Sequence, residues 1–463
     1  MNSFSTADRI NTQELESIAG TSRVCRWQDT EPFLHDRIDK AVAPGTKIDC
    51  IVYPNTQSEL AAVIACASRN RWGILPFGNA SKLDWGGLVK LDPPNPPYQG
   101  GLSDVSEPPL KRGAGGILAV STNCINRLIE HAVGDLTVTA EAGMKLADLQ
   151  EILAKAGQFL PIDPSHSQQA TLGGIIANAD AGSLRHRYRG VRDLLLGISF
   201  VRSDGKIAKA GGRVVKNVAG YDLMKLFSGS YGTLGIISQV TFRVYPLPES
   251  SGTVLLTGET NALSQATQIL LSSALTPTAV DLLSPKLAEK LDLGKQAGLA
   301  VRFQGIAESV KQQSARLLEV GEKLGLQGSN FSGSDENLLW QRLSEIINDS
   351  ANNSTITCKI GLRPSAAATA ISGELPVQEA VIHAGSGLGM LRFESATAEM
   401  LLLSRRVCEA KGGFLTVLTG PIELKQKLDV WGYNGSAIDL IRKIKHQFDP
   451  DNILSPNRFV GGI

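Results

Sequence analysis

The chain has 463 residues, 42% of them hydrophobic and 20% charged, with a formal net charge of +1. That length exceeds the roughly 250–300 residues one hydrophobic core supports, so more than one domain is expected, and the ordinary composition excludes a largely disordered chain. The near-zero charge gives no global footprint for nucleic acid or an anionic membrane surface, and neither is expected as a partner.

The start, MNSFSTADRI, lacks an apolar signal core, and no apolar run approaches the ~20 residues that span a bilayer. A cytoplasmic protein is expected, with any membrane association arising through partners. The first 43 residues read as an extension with a short amphipathic stretch around Glu14 to Ile18. From Ile48 the texture changes. DCIVYP is a strand candidate, SELAAVIACASRN carries Leu60, Val63, Ile64 and Ala67 at helical spacing with Ser58 as its cap, and GILPFGNASKLDWGG adds a second strand and a glycine-containing loop. This order predicts a small parallel unit whose loop faces a ligand.

Residues 92–116 hold six prolines among glycines and charges, an irregular insertion that serves either for docking or only as a tolerated loop. DLTVTAEAG alternates as a half-buried strand, MKLADLQEILAKAG follows as a helix closed by Gly157, and the Asp204-Gly205 pair predicts a tight hairpin. The glycine runs stop after VTFRVYPLPES, which places a boundary near Pro248 and a ligand-binding domain at 44–248. Residues 249–430 mix helical and strand-like segments, as in an α+β cap with helices on one face of an antiparallel sheet, and 431–463 forms a tail. The six cysteines lie far apart without a C-x-x-C pair, so reduced thiols and no metal site are expected.

Three glycine-rich runs stand in order between Thr171 and Ile237: TLGGIIANADAG, KNVAGYDL and GSYGTLGII. Glycine lets a backbone approach a ligand closely and take positive φ, so the runs read as a wall around a large flat dinucleotide. PFGNASK at 76–82 and ATLGG at 170–174 are candidate cradles, because backbone N–H groups can hold a diphosphate. For each glycine alone, plain turn geometry is the alternative. The segment SLRHRYRGVRD carries Arg185, His186, Arg187, Arg189 and Arg192, which suits a carboxylate ligand and equally suits a solvated or subunit-facing patch. His383, the cap's only histidine, suits either a base that takes a hydroxyl proton or a hydrogen-bonded structural role. The GSGLG that follows it has Met390 where a dinucleotide fingerprint needs its third glycine, which argues against an NAD site.

Taken together, the PFGN loop, the strand ending in AEAG, TLGG, KNVAGYDL, GSYGTLGI and the late FDPDNILSPNR resemble, in this order, the PCMH-type (vanillyl-alcohol-oxidase-like) FAD-binding flavoproteins, and within them the glycolate oxidase E-subunit. The resemblance covers most of 49–247 plus 448–458. It implies an α+β fold, with a two-part FAD-binding domain, an α+β cap built on an antiparallel sheet, and a tail that returns to the flavin domain. It implies FAD contacts at Pro76, Gly78, Asn79, Ala80 and Ser81, at Thr171, Leu172, Gly173, Gly174 and Ala177, and at Gly182 and Ser183. Further implied contacts are Lys216, Asn217, Gly220 and Tyr221, then Gly232, Thr233, Gly235, Ile236 and Asn457. Tyr221, otherwise a core aromatic, and His383 are the catalytic candidates.

Two departures limit the carry-over. No histidine lies between Gly73 and Gly87, so noncovalent FAD is expected, and one cap histidine cannot make the metal motif of related D-2-hydroxyacid dehydrogenases. The implied function is an FAD-dependent subunit of a glycolate (2-hydroxy acid) dehydrogenase complex, passing electrons to a D-type flavin subunit and an iron–sulfur subunit. The alternatives are an assembly or electron-transfer subunit without its own substrate chemistry, and a stand-alone flavin oxidoreductase of an alcohol.

Overall fold

The computed structural model describes residues 10–91, 116–212, 221–349, 354–376 and 378–463. Its first sheet runs Val24–Arg26, Ile48–Val52, Ile117–Ser121, Gly73–Phe77, the last three parallel and the first antiparallel to its neighbour. The helix Gln57–Asn70 connects two of the parallel strands and buries Leu60, Val63 and Ile64. Its cap is Thr56 rather than Ser58. The Thr56 hydroxyl accepts the Glu59 N–H at 3.1 Å, and the Glu59 carboxylate turns back to accept the Asn55 N–H at 2.8 Å. The helix therefore starts one residue before Ser58, where both ends of this reciprocal arrangement are satisfied.

The segment read as an extension is built into this unit from residue 10 onward. Leu15, on the helix Thr12–Ala19, joins the core around Leu60 and Val63, and Val24–Arg26 adds the edge strand. Three residues are too short to show a period of two, so nothing in the sequence pattern could announce that strand.

A second, five-stranded antiparallel sheet runs Leu128–Ala132, Thr137–Glu141, Ile236–Arg243, Leu195–Val201, Ile207–Gly211. Asp204-Gly205 turns the last two strands, with Gly205 at φ +77 and the Arg202 N–H donating to the Lys206 carbonyl at 2.9 Å. Thr137–Glu141 is buried along its whole length instead of on one face. Val138 and Ala140 pack under the helix Leu146–Ala154. On the other face Thr139 hydrogen-bonds Thr241 at 2.9 Å, and Glu141 pairs with Arg127 at 2.8 Å. The alternation thus separates an apolar face from a partnered polar one, and both are covered. Val201 and Ile236 meet Val63 and Ile64 of the first unit, so the two sheets share one helix as filling.

The cap is an eight-stranded antiparallel sheet. Successive residues of its strands feed opposite cores: Leu256, Leu282, Leu299 and Ile382 face the helices Thr260–Ser272, Ala307–Lys323 and Ala398–Ala410, while Leu255, Leu283, Ala300 and Val381 face the other way. That second face is partly covered by Pro285–Lys290 and Gly333–Asn348, so helices lie on both faces rather than one. The uncovered remainder looks onto the domain that holds the first two sheets. After the helix Ile438–Phe448, the chain runs back beside Gly73–Phe77: the Ile74 N–H donates to the Ile453 carbonyl at 2.7 Å, and the Ser455 N–H donates to that of Ile74 at 2.8 Å. Lys445 ties this return down, its buried ammonium donating to the Thr233 and Leu454 carbonyls and pairing with Asp449 at 2.6 Å.

Candidate cofactor and substrate site

The loop after Gly73–Phe77 turns through Gly78 to Lys82, and the amide N–H groups of these five residues have no acceptor among the described residues. Consecutive uncommitted amides on a concave loop form an anion-binding nest. Gly78 is required by space: a Cβ there would meet the Thr171 hydroxyl at 2.1 Å. Ala80 takes φ +55, which turns the amides in succession toward one side. Gly232, at φ +76, lets its turn close on the Pro76 ring, which a Cβ would meet at 2.7 Å. Between these turns lies a narrow cleft of about 80 Å³.

Of the sequence-predicted residues, Pro76, Gly78, Asn79, Ala80, Ser81, Thr171, Gly173, Gly174, Ala177, Gly232, Gly235 and Ile236 line this cleft together. Leu172 and Thr233 are buried behind it, the Thr233 hydroxyl donating to the Ser230 carbonyl at 2.7 Å. Gly182 and Ser183 line the neighbouring cavity instead. Asn457 sits at the tail, its side chain donating to the Lys90 carbonyl at 3.0 Å, while its neighbour Arg458 reaches the cleft. Tyr221 stands 87% exposed and lines neither space. Lys216, Asn217 and Gly220, like most of the 92–116 insertion, lie outside the described residues.

The neighbouring cavity, about 1120 Å³, opens between the N-terminal domain and the uncovered face of the cap sheet. A buried ion pair stands between the two spaces: Lys82 lines the cleft, Asp180 lines the cavity, and they meet at 2.7 Å. Asp180 also accepts the Ser165 N–H at 2.9 Å, so the carboxylate is held from two sides.

On the cap side His383 lines the cavity, with its Nδ1 2.7 Å from the fully buried Asp281. The second Asp281 oxygen accepts the Ser183 hydroxyl, which links the cap to the N-terminal domain. Because a buried carboxylate accepts from Nδ1–H, Nε2 is the basic nitrogen of His383. Nearby, Asp163 accepts the Gly182 and Leu184 N–H groups at 3.1 and 3.0 Å, yet burial pushes its carboxyl up to about 6. Arg185 lines the same cavity; burial lowers its guanidinium, and Asp163 and Asp193 offset part of that. His186 packs against Gly385, where a Cβ would lie 2.6 Å from its ring nitrogen, and burial keeps its imidazole below the ordinary range. The GSGLG glycines are therefore explained by close approach, since Gly387 and Gly389 lie equally tight against backbone carbonyls.

Lys359 completes the site. It sits on Ile356–Gly361 beside Met390, which in turn neighbours Val381, and all three line the cavity. Its ammonium has no hydrogen-bond or ion-pair partner among the described residues. Burial lowers its pKa, Asp180 pulls it back up and Arg185 adds to the lowering, so these three charges share one neighbourhood. Sequence reasoning missed Lys359, Asp281 and Arg458, and it included Lys82 only as the end of the PFGNASK cradle, without its ion pair to Asp180. The usable signal for the first two was a single charge inside an otherwise apolar strand, TCKIGL and AVDLL.

A family model described as an FAD binding domain matches residues 98–211. Glycolate oxidase subunit GlcE of Escherichia coli is 30% identical over 343 residues, covering 73% of this chain and 86% of that protein. The chain belongs to the PCMH-type FAD-binding flavoproteins. Glycolate oxidase subunit GlcD of Bacillus subtilis is 27% identical over 451 residues, spanning 89% and 88% of the two chains. A mitochondrial D-lactate dehydrogenase [cytochrome] of Arabidopsis thaliana is 23% identical over 93% of this chain and 76% of its own. Among solved structures, 4-ethylphenol oxidase from Gulosibacter chungangensis superposes with a TM-score of 0.70 at 14% identity, covering 96% and 95%. As a member of this flavoprotein family the protein is an FAD-dependent oxidoreductase with the expected α+β architecture. The uncommitted amides of Gly78–Lys82 and the close-packed glycines opposite them fit a diphosphate-bearing dinucleotide. No helix among the described residues is long and apolar enough to cross a membrane.

Proposed function

We propose that this flavoprotein oxidises a 2-hydroxy acid to the 2-oxo acid. The observation that carries the reading is that His383, paired with the buried Asp281, lines a cavity that also holds the uncommitted ammonium of Lys359. FAD supplies a two-electron acceptor for the hydride leaving the substrate α-carbon. His383 Nε2 takes the hydroxyl proton as the carbonyl forms, and Asp281 stabilises the resulting imidazolium. Ser183 holds Asp281 in place from the opposite domain. Lys359 and Arg185 orient the substrate carboxylate, which fixes the α-carbon relative to the base.

The cofactor is held noncovalently at Pro76–Ser81, Thr171–Gly174, Ala177 and Gly232–Ile236, with no histidine in the Gly73–Gly87 loop to attach it. With the first domain running from residue 10 to about 248, the cap at 249–430 and the tail at 431–463, the site lies at the junction of the first two. We propose that electrons leave to a D-type flavin subunit and an iron–sulfur subunit in a cytoplasmic complex; the relatives named as glycolate oxidase subunits support the multi-subunit part of this reading. The test is anaerobic mixing of the isolated, FAD-loaded chain with a panel of 2-hydroxy acids. Bleaching of the flavin absorbance is expected, and a flavin that stays oxidised with every acid overturns the reading.

A further inference from the structure

The size and lining of the cavity narrow the substrate class, given the 2-hydroxy acid assignment on which this inference rests. Glycolate has about five heavy atoms and displaces roughly 150 Å³ if each takes about a water's share of volume, near 30 Å³. The cavity measures about 1120 Å³. Reserving roughly 500 Å³ on the same scale for an isoalloxazine of about 18 heavy atoms leaves several times the volume glycolate needs.

The remaining space has a polar end and an apolar end. Lys359, Met390 and Val381 stand side by side on three neighbouring strands, so one step across the sheet passes from a cation to a thioether and the next to a branched aliphatic. Beyond Val381 the wall is the inner face of Gly333–Asn348, where Trp340, Leu343 and Ile347 join Val381 and Met390 in a single apolar cluster. Trp340 is fixed in orientation, its indole N–H donating to the Thr253 hydroxyl at 2.9 Å and its ring lying 5.6 Å from the Arg302 guanidinium. Of the polar residues of the same helix that line the cavity, Gln341, Ser344 and Glu345 are exposed at its rim and Asn348 is half-buried. A two-carbon acid bound at Lys359 would leave the half-buried Trp340 and Met390 of this wall facing water, which is unfavourable in proportion to their exposed area.

We infer that the substrate is a 2-hydroxy acid with an extended apolar side chain, its carboxylate held at Lys359 and its tail lying over Met390 and Val381 against Trp340, Leu343 and Ile347. Each methylene transferred from water to such a wall contributes roughly a threefold to fourfold gain in binding.

The holoprotein is mixed anaerobically with glycolate, lactate, 2-hydroxyoctanoate and 3-phenyllactate, the chiral acids as both enantiomers, and the ratio of reduction rate constant to dissociation constant is measured. At least a tenfold higher ratio is expected for one enantiomer of 2-hydroxyoctanoate or 3-phenyllactate than for glycolate. A glycolate ratio equal to or above both leaves 2-hydroxy acid oxidation standing and overturns this inference. Trp340→Ala lowers the 2-hydroxyoctanoate-to-glycolate preference at least fivefold; an unchanged preference overturns it as well. A parallel binding measurement uses 2-oxooctanoate and glyoxylate, read by perturbation of the oxidised flavin spectrum. If no hydroxy acid reduces the flavin, the proposed oxidation falls, and tighter binding of 2-oxooctanoate still supports the apolar pocket. Equal binding of the two oxo acids, or none, overturns it.

Discussion

At the scale of single residues the site depends on two buried carboxyls with different duties. Asp281 orients His383 and balances its charge, so Asp281→Asn should slow flavin reduction by about 100-fold while FAD affinity, measured by fluorescence quenching, stays level, since Asp281 does not line the cofactor cleft. Lys359→Met should raise the dissociation constant for a carboxylate substrate by about tenfold to 100-fold with a smaller effect on the limiting rate, as read from the concentration dependence of anaerobic reduction. Asp163 acts on stability. Its carboxyl is raised from 3.8 to about 6 by burial, so the folded protein holds this proton more tightly than the unfolded chain. The stabilisation attached to that proton is complete below about pH 4 and is lost as pH rises to 6, an effect on the order of 3 kcal/mol. Urea unfolding of the wild type and Asp163→Asn should therefore show a stability difference that shifts against the wild type between pH 4 and 6 and is flat above 7.

At the scale of elements, the Gly78–Lys82 loop owes its shape to the absence of a side chain at its first position. Gly78→Ala puts a methyl into the Thr171 hydroxyl and should weaken FAD binding at least tenfold, measured by equilibrium quenching of flavin fluorescence. The Gln57–Asn70 helix makes the complementary case, since its start is held by side chains. Thr56 accepts the Glu59 N–H that the first turn leaves open, Glu59 accepts the Asn55 N–H just before the cap, and neither residue lines the cleft, so this element positions the site without touching it.

At the scale of the molecule, the tail acts as a strap that brings Arg458 to the cofactor cleft. Arg458 donates to the Leu83 carbonyl at 2.6 Å, and burial lowers its guanidinium to about 10, so it is held by the loop it supports. Lys445→Met removes the cation that holds the strap and leaves Asp449 buried without its partner, a change on the order of 3 kcal/mol. Thermal denaturation should shift down by several degrees, and FAD affinity should fall with it, because the strap and the cleft are one structure.

The cofactor side was legible in the sequence and the substrate side nearly blank, for a physical reason. Glycines such as Gly78, Gly173 and Gly232 are needed by local sterics, and local sterics leave a mark in one stretch of chain. His383, Asp281, Ser183 and Lys359 are assembled from four segments separated by up to about 200 positions, and no periodicity or spacing joins them. Burial misled the reading of Thr137–Glu141 for a related reason: alternation records which face is apolar, whereas exposure depends on what packs against it later in the chain.

The five uncommitted amides of Gly78–Lys82 also decide how this protein should be handled at the bench. A nest built for a diphosphate does not distinguish the cofactor's oxyanions from those of inorganic phosphate or sulfate at millimolar concentration. Such ions should raise the thermal stability of the flavin-free chain while slowing its reconstitution with FAD, both effects growing with anion concentration and absent in chloride. The buffer is then a competitor for the loop, and an apparent FAD affinity measured in phosphate will understate the one the loop provides.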